Sequence, residues 1–423
     1  MKKTRKLAQV CCCLISALCI VSFSMPPQAV ALKSLVTKIS DNAFITDEQL
    51  SARLPDDSFY EHKISIMALG DNLMHMGIVN TGRLSGGGYN YDFLFNDISE
   101  FLDTAEVKII NQETIMAGNQ LGFSGYPKFN SPTQVADAIA NAGFNVVLHA
   151  TNHSADQGIN GLKYCASYWE QYPEVLMLGI SNEENSGADI PILEIDSVKI
   201  AVLNYTYGPN SSVFPTSYRG HLNILCDYND KTGAINFTKL NPQVITDIQN
   251  ARAAADIVIV CPHWGTEYAE NPSSYQREFA QQMTDAGADV IIGTHPHVPE
   301  PVEWLTAPDG TKTLCYYSIG NYVSTQQNLL SMLEGMAWVT FRVNNDGISI
   351  DEDETGVVPL VCHYSSSPVR LKGVYPLEDY TEAMAVSHGI KSYGGTTLHL
   401  SYLEQKTKDI FGDMALSKSE ILY

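Results

Sequence analysis

The sequence is poor in basic residues. Its 423 residues include 26 Lys and Arg against 47 Asp and Glu, and the net charge is −21. A protein that binds a polyanion through its general surface needs a basic face, so this balance excludes nucleic acid and anionic lipid as general partners. An anionic ligand must therefore bind at a local site, and bound divalent cations would provide one.

The nine cysteines show no CxxC spacing. Four of them lie within the first 19 residues, and the other five are an odd number spread from Cys165 to Cys362. This pattern favours neither a dense disulfide framework nor a structural zinc site, and it leaves room for at most two bridges. Cys261 and Cys315 lie in apolar runs, so we expect them to be buried packing residues.

The apolar run 10–23 is 14 residues long, which is short for a bilayer span of about 20 residues. It follows four basic residues and precedes the small-residue site 29–31. Residues 1–31 are therefore predicted to be an export signal cleaved after Ala31, with a retained anchor as the alternative. Cleavage would make the net charge −25 and place the protein outside the cytoplasmic membrane, either secreted or at the cell surface. Residues 32–60 show no sustained apolar period and are interpreted as a linker or N-terminal arm.

Beyond residue 60, short apolar runs alternate with helix-like segments. Strands are predicted over 64–69, 107–110, 144–150, 256–261, 289–292 and 313–319. Helices are predicted over 132–142, 161–172, 242–255 and 274–286, because glycine or proline follows several of these periodic segments. The alternation indicates an α/β domain over 61–345. A C-terminal extension, 346–423, is predicted to be β-rich first and then helical.

Several of the predicted strands end in residues that bind metals or transfer protons. In α/β sheets the carboxyl ends of strands meet in one crevice, and neutral imidazole is the commonest protein ligand for transition metals. Pro296 is expected to hold His295 in extended geometry, so that His295 and His297 project to one side. A metal site is predicted at this edge, although Asp71 can also be a turn residue and His263 a core histidine.

Six motifs, in order along residues 64–326, resemble the CapA family of bacterial capsule or poly-γ-glutamate synthesis proteins. They are Gly70-Asp71, Asn111-Gln112-Glu113, 151–158, 263–268, 293–297 and 317–322. The resemblance implies a variant of the calcineurin-type metallophosphoesterase fold, in which a β-sandwich of two sheets is flanked by helices. It also implies a site for two divalent metal ions, expected to be Mn, Fe or Zn, at the strand ends.

The resemblance assigns six residues to the ions: Asp71 and His297 to the first, Glu113 to the bridging position, and Asn152, His263 and His295 to the second. His153 is left as the free acid or phosphate-contacting imidazole, and Asp156 is available to orient it. Asn321 is either a turn residue or a substrate contact.

Other residues near these motifs are given no role in the site. His149 should point away from it by strand alternation. The segment 205–207 is interpreted as structural. His62, His221, His363 and His388 have no supporting neighbours in the sequence.

Two positions depart from the metallophosphoesterase pattern that the resemblance implies: the bridging residue, usually an aspartate, is Glu113, and a histidine is missing at position 73. Leu73 stands where metallophosphoesterases usually have a histidine, and His75 follows two residues later. Two functions stay open as a result. One is an exported metal-dependent hydrolase that cleaves phosphoester or γ-glutamyl bonds. The other is a non-catalytic assembly or export factor for an anionic polymer, working with membrane-bound capsule synthesis or export proteins. The sequence leaves the oligomeric state open.

Overall fold

The structure is a computed structural model that describes residues 62–184 and 190–422. The predicted export signal and N-terminal arm lie outside the described residues. Within the described part of the chain, no helix has the length and apolar character needed to span a membrane.

Strands and helices alternate through most of the chain. In chain order the strands are β1 (His62–Asn72), β2 (Val107–Asn111), β3 (Val146–Leu148), β4 (Leu176–Leu178), β5 (Ile192–Ile195), β6 (Val198–Thr206), β7 (Cys226–Tyr228), β8 (Ile235–Leu240), β9 (Ile257–His263), β10 (Val290–Ile292), β11 (Val302–Thr306), β12 (Lys312–Tyr316), β13 (Asn321–Val323), β14 (Leu333–Asn344), β15 (Gly347–Ile350), β16 (Gly356–Ser366) and β17 (Val369–Pro376). The α-helices are α1 (Met76–Thr81), α2 (Ser99–Thr104), α3 (Gln134–Asn141), α4 (Gly158–Trp169), α5 (Pro242–Ala254), α6 (Ser274–Ala286), α7 (Glu382–Ser387), α8 (Leu400–Phe411) and α9 (Lys418–Leu422).

The strands form two large sheets and a hairpin. The first sheet has the order β17-β16-β14-β1-β2-β3-β4, with β13 beside the end of β1 and β15 beside β14. The second has the order β11-β12-β10-β9-β6-β5, and β7 pairs with β8. Strands β1 to β4 run parallel to one another, as do β6, β9, β10 and β12. Each large sheet therefore presents several carboxyl strand ends at one edge.

Apolar residues from the facing sides of both sheets form one buried cluster. Ile66, Ile109 and Val146 of the first sheet belong to it together with Ile259 and Ile292 of the second. Helices α3 and α4 pack on the outer face of the first sheet, and α5 and α6 pack on the outer face of the second. The structure is thus two sheets packed face to face with helices outside, which confirms the predicted α/β class.

The C-terminal extension is β-rich and then helical, as predicted. Its strands β15, β16 and β17 continue the first sheet, since β15 and β16 pair with β14. Phe411, at the end of α8, packs in the cluster between the two sheets. The five cysteines in the described residues are free and buried, as expected for Cys261 and Cys315.

Helix boundaries agree closely with the sequence analysis, and strand boundaries agree less well. Helix α6 begins with a capping box at Ser273 and ends at Gly287 in left-handed geometry, so its predicted limits are correct. The strand predicted over 144–150 is shorter in the structure and comprises only Val146–Leu148, because the chain leaves the sheet before the polar residues 151–153. The sequence analysis missed β6, an internal strand of the second sheet that pairs with β5 and β9.

Candidate metal centre

The end of β1 brings a carboxylate to the edge where the two sheets meet the following loops. The pairing of β1 with β2 shifts register between Leu69 and Asp71, and such an irregularity re-aims the next side chain. Asp71 pairs with Asn111 of β2 and Asn321 of β13. A Cβ at Gly70 would lie 2.0 Å from the Gly320 oxygen, so only glycine allows the two backbones to approach this closely.

Both Asp71 oxygens have partners within the protein. Asn111 Nδ2 donates to Oδ1 at 2.7 Å, and the backbone N–H of His295 donates to Oδ2 at 3.2 Å. His297 Nδ1 lies 3.1 Å from the same Oδ2. Asp71 is fully buried, so these donors offset the cost of removing its carboxylate from water. Its position is set by the protein itself.

Glu113 is buried at the same centre, yet neither of its carboxylate oxygens accepts a hydrogen bond. Oε1 lies 3.8 Å from His263 Nε2 and 4.0 Å from His153 Nε2, and Oε2 lies 3.8 Å from His297 Nδ1. Burial, with the nearby Asp71 carboxylate, raises the pKa of Glu113 well above its usual range. A buried carboxylate without donors is costly, and a bound cation would remove that cost.

His263 and Asn152 contact each other across the two sheets. His263 ends β9, where its Nδ1 lies 2.9 Å from Thr294 Oγ1 and its Nε2 lies 3.0 Å from Asn152 Oδ1. Burial, together with the surrounding imidazoles, lowers the pKa of His263 well below its usual value. Neutral imidazole is the form that binds metal ions. The contact joins two residues that the resemblance assigns to the same ion.

The two histidines of the His-Pro-His segment face one volume, but not through the expected backbone geometry. His295 has φ +99° and His297 has φ +59°, so the prediction of an extended His295 is wrong. The His295 N–H donates to Asp71, which explains how the backbone is held in a region that non-glycine residues rarely adopt. The ring centroids still lie only 5.6 Å apart.

The ring nitrogens of His295 and His297 have different environments. His295 Nδ1 is buried without a hydrogen-bond partner, and burial lowers the pKa of His295 well below its usual value. Burial also acts to lower the pKa of His297, but the Glu113 and Asp71 carboxylates outweigh it and raise the pKa to about 9. His297 Nδ1 faces acceptors at Asp71 Oδ2 and Asn321 Oδ1, so Nδ1 carries a proton.

These groups fit a metal ion. Ligand atoms of Glu113, His295 and His297 all lie within 4.8 Å of one another, and the three side chains are buried. The Glu113 oxygens and His295 Nδ1 have no hydrogen-bond partner in the protein, so these atoms are available to coordinate a metal ion. Glu334 is another buried carboxylate, but it belongs to no such cluster in the described residues. The cluster can hold a metal ion.

His153 and Asp156 form a separate pair beside this cluster. His153 Nδ1 lies 2.7 Å from Asp156 Oδ2, which also accepts the Phe129 backbone N–H at 2.7 Å. The Phe129 ring packs edge-on against the His153 ring at 4.7 Å between centroids. The pair fixes the imidazole and leaves His153 Nε2 on the side of Glu113. The structure therefore brings both predicted acid-base residues to the centre.

Asn321 and the segment after Asp71 support the centre from one side. Asn321 Oδ1 faces His297, and Nδ2 donates to the His297 carbonyl at 3.2 Å and to Gln326 Oε1 at 3.0 Å. Its amide is used within the protein, and a substrate contact stays a prediction. Leu73 is a buried apolar residue, and His75 Nδ1 accepts the Thr325 backbone N–H at 3.3 Å.

Other histidines have structural contacts. His149 directly follows β3, and its Nε2 accepts the Trp169 indole N–H of α4 at 2.8 Å. His363 lies 2.6 Å from the Tyr380 hydroxyl, and His388 Nδ1 accepts the Ile390 N–H. Both belong to the C-terminal extension. His221 Nδ1 lies 3.1 Å from the Ser181 carbonyl.

Two residues that contact the site were given no role in the sequence analysis, since Asn210 was missed and Tyr207 was interpreted as structural. Asn210 Oδ1 accepts from Asn152 Nδ2 at 3.1 Å, and Asn210 Nδ2 lies 3.4 Å from His153 Nδ1. The Tyr207 ring packs 4.8 Å from the His295 ring. Both residues follow β6, an apolar strand that ends in polar residues as the other strands of the site do. The same sequence pattern would have identified them.

Comparison with known proteins supports the motifs. The model of the bacterial capsule synthesis protein family PGA_cap matches residues 65–326, more than half of the chain. The chain belongs to this family. The match includes every predicted metal ligand, the His153–Asp156 pair and Asn321, so the whole centre lies within the PGA_cap region.

Two relatives are capsule or PGA biosynthesis proteins. The PGA biosynthesis protein CapA of Bacillus subtilis (strain 168) is 33% identical over 43% of this chain and 43% of its own length. The capsule biosynthesis protein CapA of Bacillus anthracis is 26% identical over 70% of this chain and 67% of its own length. The solved structure of a hypothetical protein from Thermus thermophilus has a TM-score of 0.36 at 15% identity, covering 68% of this chain and 98% of that chain.

Proposed function

We propose that this protein is a metal-dependent hydrolase of capsule or poly-γ-glutamate biosynthesis that cleaves phosphoester or γ-glutamyl bonds. The observation that carries the proposal is the His153–Asp156 pair, which lies outside the Glu113, His295 and His297 cluster but only 4.0 Å from Glu113. A scaffold protein needs no oriented imidazole beside a metal ion. A hydrolase needs one to transfer a proton to the leaving group.

The proposed centre holds two ions of Mn, Fe or Zn. Asp71 and His297 would bind the first, Asn152, His263 and His295 the second, and Glu113 would lie between them. A divalent ion there supplies Lewis-acid activation of the phosphoryl or carbonyl oxygen of the substrate. The neutral imidazoles of His263 and His295 suit such ions.

The protein's own contribution to catalysis is to hold the His153 imidazole in position to donate a proton to the leaving group. Asp156 accepts from His153 Nδ1 and so orients the ring, which leaves His153 Nε2 to donate to the departing oxygen or nitrogen. Phe129 limits rotation of the same ring, and its backbone N–H fixes Asp156. The imidazole is therefore held before the substrate binds.

A hydrolysis screen tests this function. Wild-type protein and His153→Ala are assayed against phosphoesters and γ-glutamyl peptides with Mn²⁺ or Zn²⁺ present. We expect His153→Ala to keep its metal and to lose turnover by about 10²- to 10⁴-fold, the usual contribution of a general acid. A fully metallated wild-type protein that hydrolyses none of these substrates contradicts the proposal.

One observation favours the non-catalytic alternative, an assembly or export factor for an anionic polymer. Leu73 places a buried apolar side chain where the family pattern has a ligand, which weakens the first metal position. Under this alternative His153→Ala would still support polymer export, whereas loss of the metal would abolish polymer binding. The partners would be the polymer and membrane-bound capsule synthesis or export proteins.

The proposal includes export by residues 1–31. The net charge of −21 argues against a nucleic-acid partner, so we propose none. The mass of the secreted protein should correspond to an N-terminus at Leu32. A full-length protein in the cytosol would contradict both cleavage and export.

A further inference from the structure

A cleft of about 540 Å³ opens directly beside the His153–Asp156 pair. Its lining includes Asn152, His153 and Asp156 at the metal centre, and Tyr126, Lys128 and Tyr218 beyond it. This volume is in the range of small-molecule sites and exceeds what a single scissile group would fill. The cleft therefore has room for the part of a substrate that follows the bond at the metal centre.

Lys128 lies on a loop that is fixed to the acid-base pair. Ser124 and Asn130 exchange backbone hydrogen bonds at 3.2 and 3.0 Å, and Ser124 Oγ donates to the Lys128 carbonyl at 2.6 Å. The next residue, Phe129, donates its N–H to Asp156, and its carbonyl accepts from Gln157 Nε2 at 2.9 Å. The backbone of Lys128 is thus positioned relative to His153.

The Lys128 ammonium is available to a ligand. Among the described residues it makes no side-chain hydrogen bond or ion pair, whereas Lys63, Lys406 and Lys418 all pair with carboxylates. Asp156 also lines the cleft, and among the described residues it pairs with His153 and not with Lys128. Lys128 is the one Lys or Arg among the described residues that line this cleft.

The loop after β9 brings an opposite charge to the same cleft. Glu267 is exposed, lines the cleft and comes from the second sheet, whereas Lys128 comes from the segment between β2 and β3 of the first. Glu267 and Asp156 repel an anionic chain in the cleft, whereas Lys128 attracts it. An anionic group of a ligand is therefore expected to bind at the Lys128 side chain.

We propose that Lys128 forms an oxyanion-binding subsite that takes a carboxylate of a γ-linked glutamate oligomer, adjacent to the bond at the metal centre. The choice of oligomer rests on the proposed function, since a γ-glutamyl chain carries one free carboxylate on each repeat. Glu267 keeps those carboxylates on the Lys128 side. The same oxyanion chemistry would also accept a phosphate chain, and the experiment separates the two.

The test is equilibrium binding of a fluorescent γ-linked glutamate oligomer to the purified protein with Mn²⁺ present. We expect Lys128→Gln to weaken binding about tenfold, because it removes the positive charge that contacts the carboxylate. Lys128→Arg keeps that charge and should bind like wild type. Glu267→Gln should tighten binding about twofold. The matched control is Lys408→Gln on α8, an exposed lysine without a side-chain partner in the described residues, and its binding should equal wild type.

The Lys128→Gln effect should shrink as salt is raised from about 50 to about 500 mM, since the interaction is screened. Equal binding by wild type, Lys128→Gln and Glu267→Gln would overturn the proposal. Tighter, Lys128-dependent binding of inorganic polyphosphate than of the glutamate oligomer would overturn the carboxylate assignment. Binding needs no turnover, so Lys128-dependent binding by a protein that hydrolyses nothing would contradict the hydrolase and uphold this subsite.

Discussion

Asp71 and Glu113 are buried carboxylates at one metal centre, but the protein gives them different surroundings. Asp71 accepts hydrogen bonds on both oxygens, whereas Glu113 accepts none. The histidines show the same contrast, since both nitrogens of His263 have partners and His295 Nδ1 has none. Asp71 and His263 already have partners within the protein, whereas the Glu113 oxygens and His295 Nδ1 lack a partner until an ion binds. The predictions below test this difference, beginning with the largest effect.

Removing an unpartnered ligand should have the largest effect. His295→Ala takes away a neutral imidazole whose Nδ1 has no other use, so we expect most of the bound metal and the turnover to be lost. The metal-dependent rise in melting temperature should disappear with it, because that rise reflects binding to the folded state. Elemental analysis and thermal melts measure both effects.

The control for this variant is His399→Ala. His399 is an exposed histidine paired with Glu382 outside the site. Its substitution should leave the metal content unchanged. If His295→Ala retained as much metal as His399→Ala, His295 would not be a ligand.

The same acid-to-amide change should have opposite effects on the two carboxylates in metal-free protein. Glu113→Gln removes a buried carboxylate without donors, so the free energy of unfolding should rise by about 1–3 kcal/mol. Asp71→Asn replaces one acceptor oxygen with an N–H donor, which then faces the donor N–H of His295 or Asn111. The free energy of unfolding of this variant should therefore fall by about 1–3 kcal/mol. Urea denaturation in the presence of a chelator provides the measurement. Equal signs for the two variants would remove the distinction between them.

Glu300 extends the comparison to a buried carboxylate with a hydrogen-bond partner on only one of its two oxygens. It is buried, Oε2 accepts from Gln276 Nε2 at 2.7 Å, Oε1 has no partner, and burial raises the pKa to about 7. Between the usual pKa of 4.5 and pH 7 the unfolded chain loses this proton while the folded chain keeps it. The free energy of unfolding should therefore fall as pH rises through this window, by about 3 kcal/mol in total.

Glu300→Gln should remove that loss. The variant keeps an acceptor for Gln276, so it should match wild type at pH 4 and melt at a higher temperature than wild type at pH 8. Thermal melts at the two pH values provide the test. An equal pH dependence in both proteins would show that Glu300 does not titrate in this window.

The smallest expected effect belongs to Asn210, which contacts Asn152 and His153 without reaching the cluster. Asn210→Ala should keep the metal and lower stability by about 1 kcal/mol, the typical net value of a lost hydrogen bond. Turnover should fall several-fold, because both partners lose an orienting contact. Metal content below that of wild type would mean that Asn210 acts on the ligands and not only on orientation.

Much of this centre could be predicted from local sequence. A buried strand that ends in polar residues can be recognised from a short apolar run followed by a residue that breaks the strand. The sequence therefore identified the strand ends that carry Asp71, Glu113, His263 and His295. Helix α6 was predicted correctly because its Ser273 cap and Gly287 stop are local signals.

Features set by distant residues could not be predicted. The positive φ of His295 depends on Asp71, 224 residues earlier in the chain. The lack of donors around Glu113 depends on every element that surrounds it, and no pattern in the sequence reports that environment. Asn210 was missed because β6 was missed, and its position beside Asn152 arises only when the two sheets pack together.

The most direct test of the account is the metal content of the purified protein comprising residues 32–423, expressed with metals supplied. Buried Glu113 oxygens and His295 Nδ1 without partners predict at least one tightly held equivalent of Mn, Fe or Zn per chain. Less than about a tenth of an equivalent, by elemental analysis of folded protein, would contradict the metal centre.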